Sequence, residues 1–396
     1  MKNVIRIIFF SLFFVFPFGQ LLRYQITAYP SVRIHLLEAF VLMFNVLIFS
    51  VYYKKRKNIK LPLWFKTILF FVLTAFISLI ITPLKIRFLE IFISSFYLLR
   101  VINFILLYLT ITVYLREEKI NVNKLLLFSG FFSTIIALLQ YLFLPDLRFL
   151  LPLGWDEHYY RAAGSFLDPG FTGIIIVFTI ILLLNNWSKI VKNKYLNILF
   201  ILLLLISLVL TFSRAAYLSF ILSLVVFAYL KKKSLILIII LIALVVLVFL
   251  IPKPGGEGVN LLRTTSILAR SKEITDVLNI IKSYPVLGVG FNTLRYAKNN
   301  FGLLSEYDWQ TSNSGAGTDN SFLFVLATTG ILGLIFFIWS IFLLFKETLR
   351  KGGENSILII STLTAVIISS IFANTLFYPW VLFWLAIVLS SVTFET

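Results

Sequence analysis

The sequence predicts an all-α integral membrane protein of about twelve transmembrane helices, with one long extracytoplasmic loop carrying amphipathic helix. Three observations predict it. The 396 residues are 60% hydrophobic and only 13% charged, against about 45–50% apolar and about 25% charged for soluble domains. Apolar runs near the ~20 residues that cross a bilayer recur along the whole chain. Basic residues alternate between the loops that join those runs. The mean hydropathy of +0.99 and 42 Phe demand lipid as the solvent. There is no Cys, so disulfides and thiolate metal sites are excluded. The net charge of +18 fits basic cytoplasmic loops, an anionic bilayer surface and an anionic substrate. Nucleic acid is not an expected partner, because no soluble basic domain exists to carry it.

The predicted spans are 4–22, 35–53, 62–82, 91–115, 124–144, 169–185, 195–212, 215–230, 234–251, 320–345, 356–371 and 375–394. The basic-then-apolar N-terminus lacks a small-residue cleavage site and reads as an uncleaved first helix. The stretch 195–230 is too long for one span, and Thr211-Phe212-Ser213-Arg214 supplies the turn between two. With the N-terminus inside, twenty of the 35 Lys and Arg fall on the inner side and seven on the short outer loops. The inner clusters are 54–60, 116–124, 189–194, 231–233 and 346–351. Both chain ends are then cytoplasmic. The chain divides into N-terminal spans (1–251), an extracytoplasmic loop (252–319) and C-terminal spans (320–396), with no sequence repeat.

Two outer segments are long enough to build a site. The first, 145–168, ends in Arg161-Ala-Ala-Gly164-Ser165-Phe166-Leu167-Asp168 before Pro169-Gly170, which breaks helix and returns the chain to the membrane. The second, 252–319, opens on Pro252-Lys253-Pro254-Gly255-Gly256. Ile267, Ile274, Val277, Leu278 and Ile281 then recur at helical spacing, with Lys272 and Asp276 opposite. This predicts an amphipathic helix along the membrane surface, roofing a cavity. Pro285 ends it, and Gly288-Val289-Gly290-Phe291 makes a tight turn. Ser312-Asn313-Ser314-Gly315-Ala316-Gly317 reads as a flexible closing stretch before Asp319-Asn320-Ser321 starts span ten.

Each candidate residue has two readings. Arg214, at membrane depth, is an anion clamp or an arginine snorkelling to headgroups. Arg270 on the amphipathic helix, and Arg161 likewise, are substrate contacts or headgroup contacts. Asp319 is a catalytic carboxylate or a helix cap. Arg100 lies mid-span and is functional or paired with Glu90 or Glu38. His35 and His158 lack a second ligand at metal spacing, so neither metal nor cofactor is expected. No Walker loop, G-x-S-x-G or Asp-x-Asp motif appears.

Taken in order, Arg161 to Gly170, Thr211-Phe-Ser-Arg214-Ala-Ala, Arg270 with Pro285-Val-Leu-Gly-Val-Gly-Phe291, and Asp319-Asn-Ser-Phe-Leu with Thr329-Gly330-Ile-Leu-Gly333-Leu334 resemble the O-antigen ligase and O-antigen polymerase superfamily. The resemblance covers roughly 155–345. It implies a GT-C-like, metal-independent glycosyltransferase of the bacterial cytoplasmic (inner) membrane with an extracytoplasmic active site. The donor would be an undecaprenyl-diphosphate-linked oligosaccharide, the acceptor a glycan or a lipid-linked molecule, and membrane lipids the surroundings. Asp319, Arg270 and Arg214 would be catalytic, with Arg161 and Asn320 binding substrate. Ligases of the superfamily carry a His-Asn-Ser motif where this chain has Asp319-Asn320-Ser321. That departure favours polymerase over ligase. A carrier or flippase for the same lipid-linked glycan is the rival class, since twelve spans suit one. The polar residues cluster outside rather than at the midplane, which favours the enzyme.

Overall fold

A computed structural model describes residues 1–25, 32–52, 61–186, 193–304, 309 and 317–391. The basic clusters at 54–60 and 189–192 and the closing stretch 312–316 lie outside the described residues. The molecule is a helical bundle. In order come α1 (Lys2–Val15), a β1–β2 hairpin (Arg23–Gln25 and Arg33–His35), α2 (Leu36–Tyr52), α3 (Leu63–Ile80), α4 (Phe88–Glu117) and α5 (Val122–Phe143). Then follow α6 (Pro169–Asn185), α7 (Lys194–Leu210), α8 (Arg214–Lys231) and α9 (Ser234–Leu250). The late loop holds α10 (Thr265–Ser283) and α11 (Leu294–Asn300), and α12 (Ser321–Lys351), α13 (Gly353–Ser370) and α14 (Pro379–Ser390) close the chain.

Among the described residues, seven helices are long and apolar enough to cross a membrane, and five apolar helices are shorter. Two of the short ones, α6 and α14, have a plain physical reason. Nearly every side chain of each is buried. A helix that is apolar all round and enclosed on every side is the centre of a bundle, not its lipid-facing wall. Where the chain turns, the predicted span ends shift. Span 4–22 is a helix only to Val15, followed by a tighter 3-10 turn, Phe16–Leu21, with Gly19 at φ 53°. Span 375–394 starts instead at Pro379.

Two large apolar cores form, with a small third of Ala137, Ala162 and Leu210. One joins α1, α2, α4–α9, α13 and α14 with the inner ends of α3 and α12. The other joins α3, α10, α11, α12 and the outer part of α4. The described residues of the loops at 23–25, 32–35, 82–87, 144–168, 211–214, 252–304, 317–320 and 371–378 meet at one end, as bonds such as Thr82 Oγ1 to Val289 O (2.6 Å) and Asn320 Nδ2 to Ile371 O (3.2 Å) record. At the other end Lys231 reaches Glu354 (3.4 Å), and the Leu63 N–H donates to Glu347 (3.0 Å).

α12 is not one helix. Gly330 breaks it at φ 65°, ψ −168°. A break inside an apolar bundle strands backbone groups that must find partners. The Pro285–Gly290 turn supplies them. Val289 and Gly290 N–H donate to the carbonyls of Ala327 (2.9 Å) and Thr328 (3.1 Å). Ile331 and Leu332 N–H donate to Pro285 O (2.9 Å) and Val286 O (3.5 Å). Ser78 Oγ adds a bond to Thr328 O at 2.9 Å. The outer loop is therefore laid into a gap in a spanning helix.

Arg100 finds Glu38, not Glu90, which pairs with Arg87 (3.1 Å). The Arg100 Nε to Glu38 Oε1 distance is 2.7 Å, and His35 Nδ1 shares the same oxygen at 2.8 Å. Arg100 Nη2 donates to Arg33 O at 2.8 Å. Its role is structural. Glu38→Ala leaves a largely buried cation unpaired, which costs about 3–5 kcal/mol. The expected outcome is a clear fall in the unfolding temperature of the purified protein in detergent.

Candidate active site

The site grows from helix ends. α7 and α8 are split at Thr211-Phe212-Ser213, with Phe212 at φ 47° and Ser213 capping α8 through Ala216 N–H (3.3 Å). Arg214 is thereby the first residue of α8. Its Nη1 donates to Arg263 O (3.0 Å) and Leu261 O (3.4 Å), and its Nη2 to Ser266 Oγ (2.6 Å). Arg214 thus ties the start of the late loop to the bundle and does not snorkel toward lipid.

Arg161 sits on the other outer loop. Gln140 Oε1 accepts from Ala163 and Gly164 N–H (2.9 and 3.0 Å) and fixes that loop. Arg161 Nε then donates to Thr211 O (3.1 Å) and Nη2 to Phe212 O (3.4 Å), at the negative end of α7. Burial, then the repulsion of Arg263, pushes its pKa down to about 10, against the pull of Asp168. Arg263, which sequence reasoning missed, feels burial and then Arg214 and Arg270. Arg161, Arg214 and Arg270 therefore all lie within electrostatic reach of Arg263.

Arg270 Nε lies 3.5 Å from Asp319 Oδ2. Asp319 is not the helix cap. Asn320 takes that role, its Oδ1 accepting from Phe322 (2.9 Å) and Leu323 N–H (3.0 Å) and its Nδ2 donating to Ile371 O. Asn320 was expected to bind substrate; both ends of its carboxamide are instead committed to the fold. The Asp319 carboxyl takes no part in the cap and faces Arg270. It keeps 61% of its surface yet is crowded by protein. That crowding, and then the like charge of Glu273, raise its pKa to about 6 despite Arg270. Asp156 and Asp168 push the same way.

Two further residues hold this corner, and neither was foreseen. Glu273 Oε2 accepts from Asp319 N–H (3.2 Å), and Glu273 Oε1 pairs with buried Lys298 (3.1 Å). Lys298 also donates to Gly317 O (2.6 Å). Glu273 could have been read from its place three residues after Arg270, on the same face of α10. Lys298 lies on α11, a helix too short to signal itself. The predicted apolar stripe of α10 is only partly packed: Val277 is buried and Ile281 half-buried, while Ile267, Ile274 and Leu278 stay exposed; Ile280, outside that stripe, is buried.

No group of three or more His, Asp or Glu side chains that could hold a metal ion occurs among the described residues. His158 is buried, and that burial holds its pKa down to about 4, so the ring is neutral at pH 7.

Arg214, Arg263, Arg270, Glu273, Lys298 and Asp319 all fall inside one stretch, and residues 199–338 match the O-antigen ligase family. That stretch is less than half of the chain, and the match supports the likeness to the O-antigen ligase and polymerase superfamily. The matched stretch runs from α7 through the break in α12, so the O-antigen ligase segment contains both the turn that presents Arg214 and the helix start that presents Asp319. No curated protein matches the chain. The match and the run of apolar helices support a multi-pass membrane enzyme that processes glycans.

Proposed function

We propose that the protein polymerises glycan repeat units, transferring a glycan from an undecaprenyl-diphosphate-linked donor to the hydroxyl of another repeat unit. The observation that carries the reading is an uncapped carboxylate with a raised pKa, set against Arg270 and within reach of a guanidinium cluster. In the reaction the acceptor oxygen bonds to the anomeric carbon, and the carbon–oxygen bond to diphosphate breaks. The hydroxyl proton passes to Asp319, and diphosphate leaves with the electron pair. A base poised near 6 suits that task. The transition state is oxocarbenium-like, and charge grows on the diphosphate. Arg270 and Arg214 stabilise that charge, each contributing a few kcal/mol, and arginine suits because it stays charged when partly buried. These residues achieve the transfer without a metal ion.

The active site would face the extracytoplasmic side of the bacterial inner membrane, the side opposite the basic loops. Asp319 standing where ligases carry His supports polymerase over ligase. A carrier would use the carbonyls freed at a broken helix to hold ions at the midplane. In α12 those of Ala327 and Thr328 are filled by Val289 and Gly290, which supports the enzyme over the carrier.

The test uses the purified protein in liposomes with a lipid-diphosphate oligosaccharide. New glycosidic bonds are expected, and Arg214→Ala and Arg270→Ala each lower the rate by about 100-fold or more while inserting normally. Movement of the glycan across the bilayer without bond formation would point to a carrier. Wild-type chain length in both variants would remove the assigned roles.

A further inference from the structure

A second cationic cluster lies beside the first. The β1–β2 hairpin pairs Arg23 with His35 and Gln25 with Arg33. Alternate residues of a strand share a face, so Arg23 and Arg33 are diagonal neighbours on one face. Arg295, from α11, stands within electrostatic reach of Arg33, and its own Nη1 donates to Trp309 O (2.6 Å). Glu38, which packs under the hairpin, is taken by Arg100 and His35. Burial, then Arg23 and Arg295, bring the pKa of Arg33 down to about 10.

The deciding observation is a pair of orphaned donors. The Arg23 guanidinium stacks over the Trp155 ring at 4.8 Å. Arg23 Nη1 and Trp155 Nε1 are both buried, and neither has a hydrogen-bond partner. Buried donors without acceptors are costly. Carried by a guanidinium and the ring it stacks on, with Arg33 and Arg295 near, they suit an oxygen-rich anion.

We propose that Arg23, Trp155, Arg33 and Arg295 form a second anion site, which holds a phosphate or carboxylate group of the acceptor glycan. The identity of that ligand rests on the glycosyl-transfer reading above; the site itself does not. Trp155 is followed directly by Asp156, whose charge reaches Asp319, so an acceptor anchored there extends toward the carboxylate that takes its proton. A polymerase joins two lipid-diphosphate-linked chains, and two anion sites are what such a pair requires.

The full-length protein in detergent is titrated with three probes: inorganic pyrophosphate, farnesyl diphosphate and a glucuronate-bearing trisaccharide. Two classes of site are expected. Arg23→Gln and Arg295→Gln weaken one class by about 10- to 100-fold and leave the other intact. Trp155→Phe keeps the stacked ring, removes one orphaned donor and weakens the same class. Loss of both diphosphate probes assigns a phosphate group; loss of the trisaccharide alone assigns a carboxylate. Wild-type binding of all three probes by Trp155→Phe and Arg23→Gln, with unchanged thermal unfolding, overturns the site. If those variants lose a class while Arg214→Ala and Arg270→Ala lose none, the second site stands and the donor-site reading fails instead.

Discussion

Asp319→Asn lowers glycan elongation by about 100- to 10,000-fold, with normal insertion and an unchanged unfolding temperature. The substitution keeps size and leaves the Asn320 cap in place, so a structural account of Asp319 predicts little effect. The pH dependence separates the two further. An ordinary aspartate stays ionised down to about pH 4. Here the pKa is raised to about 6, so the base is lost as pH falls through 6, and the rate should be half-maximal there. Glu273→Gln removes a negative neighbour, keeps an acceptor for the Asp319 N–H, and should move that limb to lower pH. The linkage to stability has the opposite sense. The fold disfavours the ionised form, so the contribution of Asp319 is best below pH 4 and declines as pH rises through 6. Activity of Asp319→Asn within a few-fold of wild type would remove Asp319 from the chemistry.

Gly288→Ala unfolds the outer loop from the membrane core. Gly288 has φ +66°, and a Cβ there would meet Ala327 O at 2.5 Å and the Thr328 carbonyl carbon at 2.6 Å. Both are backbone atoms of the interrupted helix and cannot yield. Gly330→Ala meets Val286 O and Leu287 N from the other side, at φ +65°. Strain of about 1–3 kcal/mol from the backbone angle adds to the clash, and the hydrogen bonds bridging the break go with it. Each variant should lose at least about 3 kcal/mol, lower the unfolding temperature in detergent and lose activity. Gly302→Ala is the control. It has a similar φ of +67° and open space around it, so it shows only the backbone cost, about 1 kcal/mol. Equal unfolding temperatures for Gly288→Ala and Gly302→Ala would show that the loop is not held by the gap in α12.

The helices were legible because lipid imposes a length and a composition that no loop imitates. The turn at Thr211–Ser213, the end of α10 before Pro285 and the Gly288–Gly290 turn were legible because polar, proline and glycine residues interrupt apolar runs there. The break at Gly330 was not. Thr329-Gly330-Ile331 sits inside an unbroken apolar run, and only the approach of a distant backbone reveals why the glycine is needed. The Arg23–Arg33 hairpin also escaped notice, being hidden between a span's end and the next span's start. In the site, Arg214, Arg270 and Asp319 could be picked from position and charge. Glu273 could have been, from its spacing to Arg270; Arg263 and Lys298 could not, since their meaning comes from partners 25 to 49 residues away. Asn320, picked as a substrate contact from its place beside a candidate base, also caps α12, which its position did not reveal.

The two apolar cores give this enzyme a seam. Arg214 starts a helix of one core and Arg161 lies on the loop bonded to the end of α7, while Arg270 and Asp319 ride on elements of the other. On the proposed roles the chemistry is shared between two halves, like a clasp, that α3, α4 and α12 join. Misplacement by about 1 Å can cost on the order of 100-fold in rate. A small rocking of one half against the other would therefore switch the reaction off between additions without moving any residue within its own half.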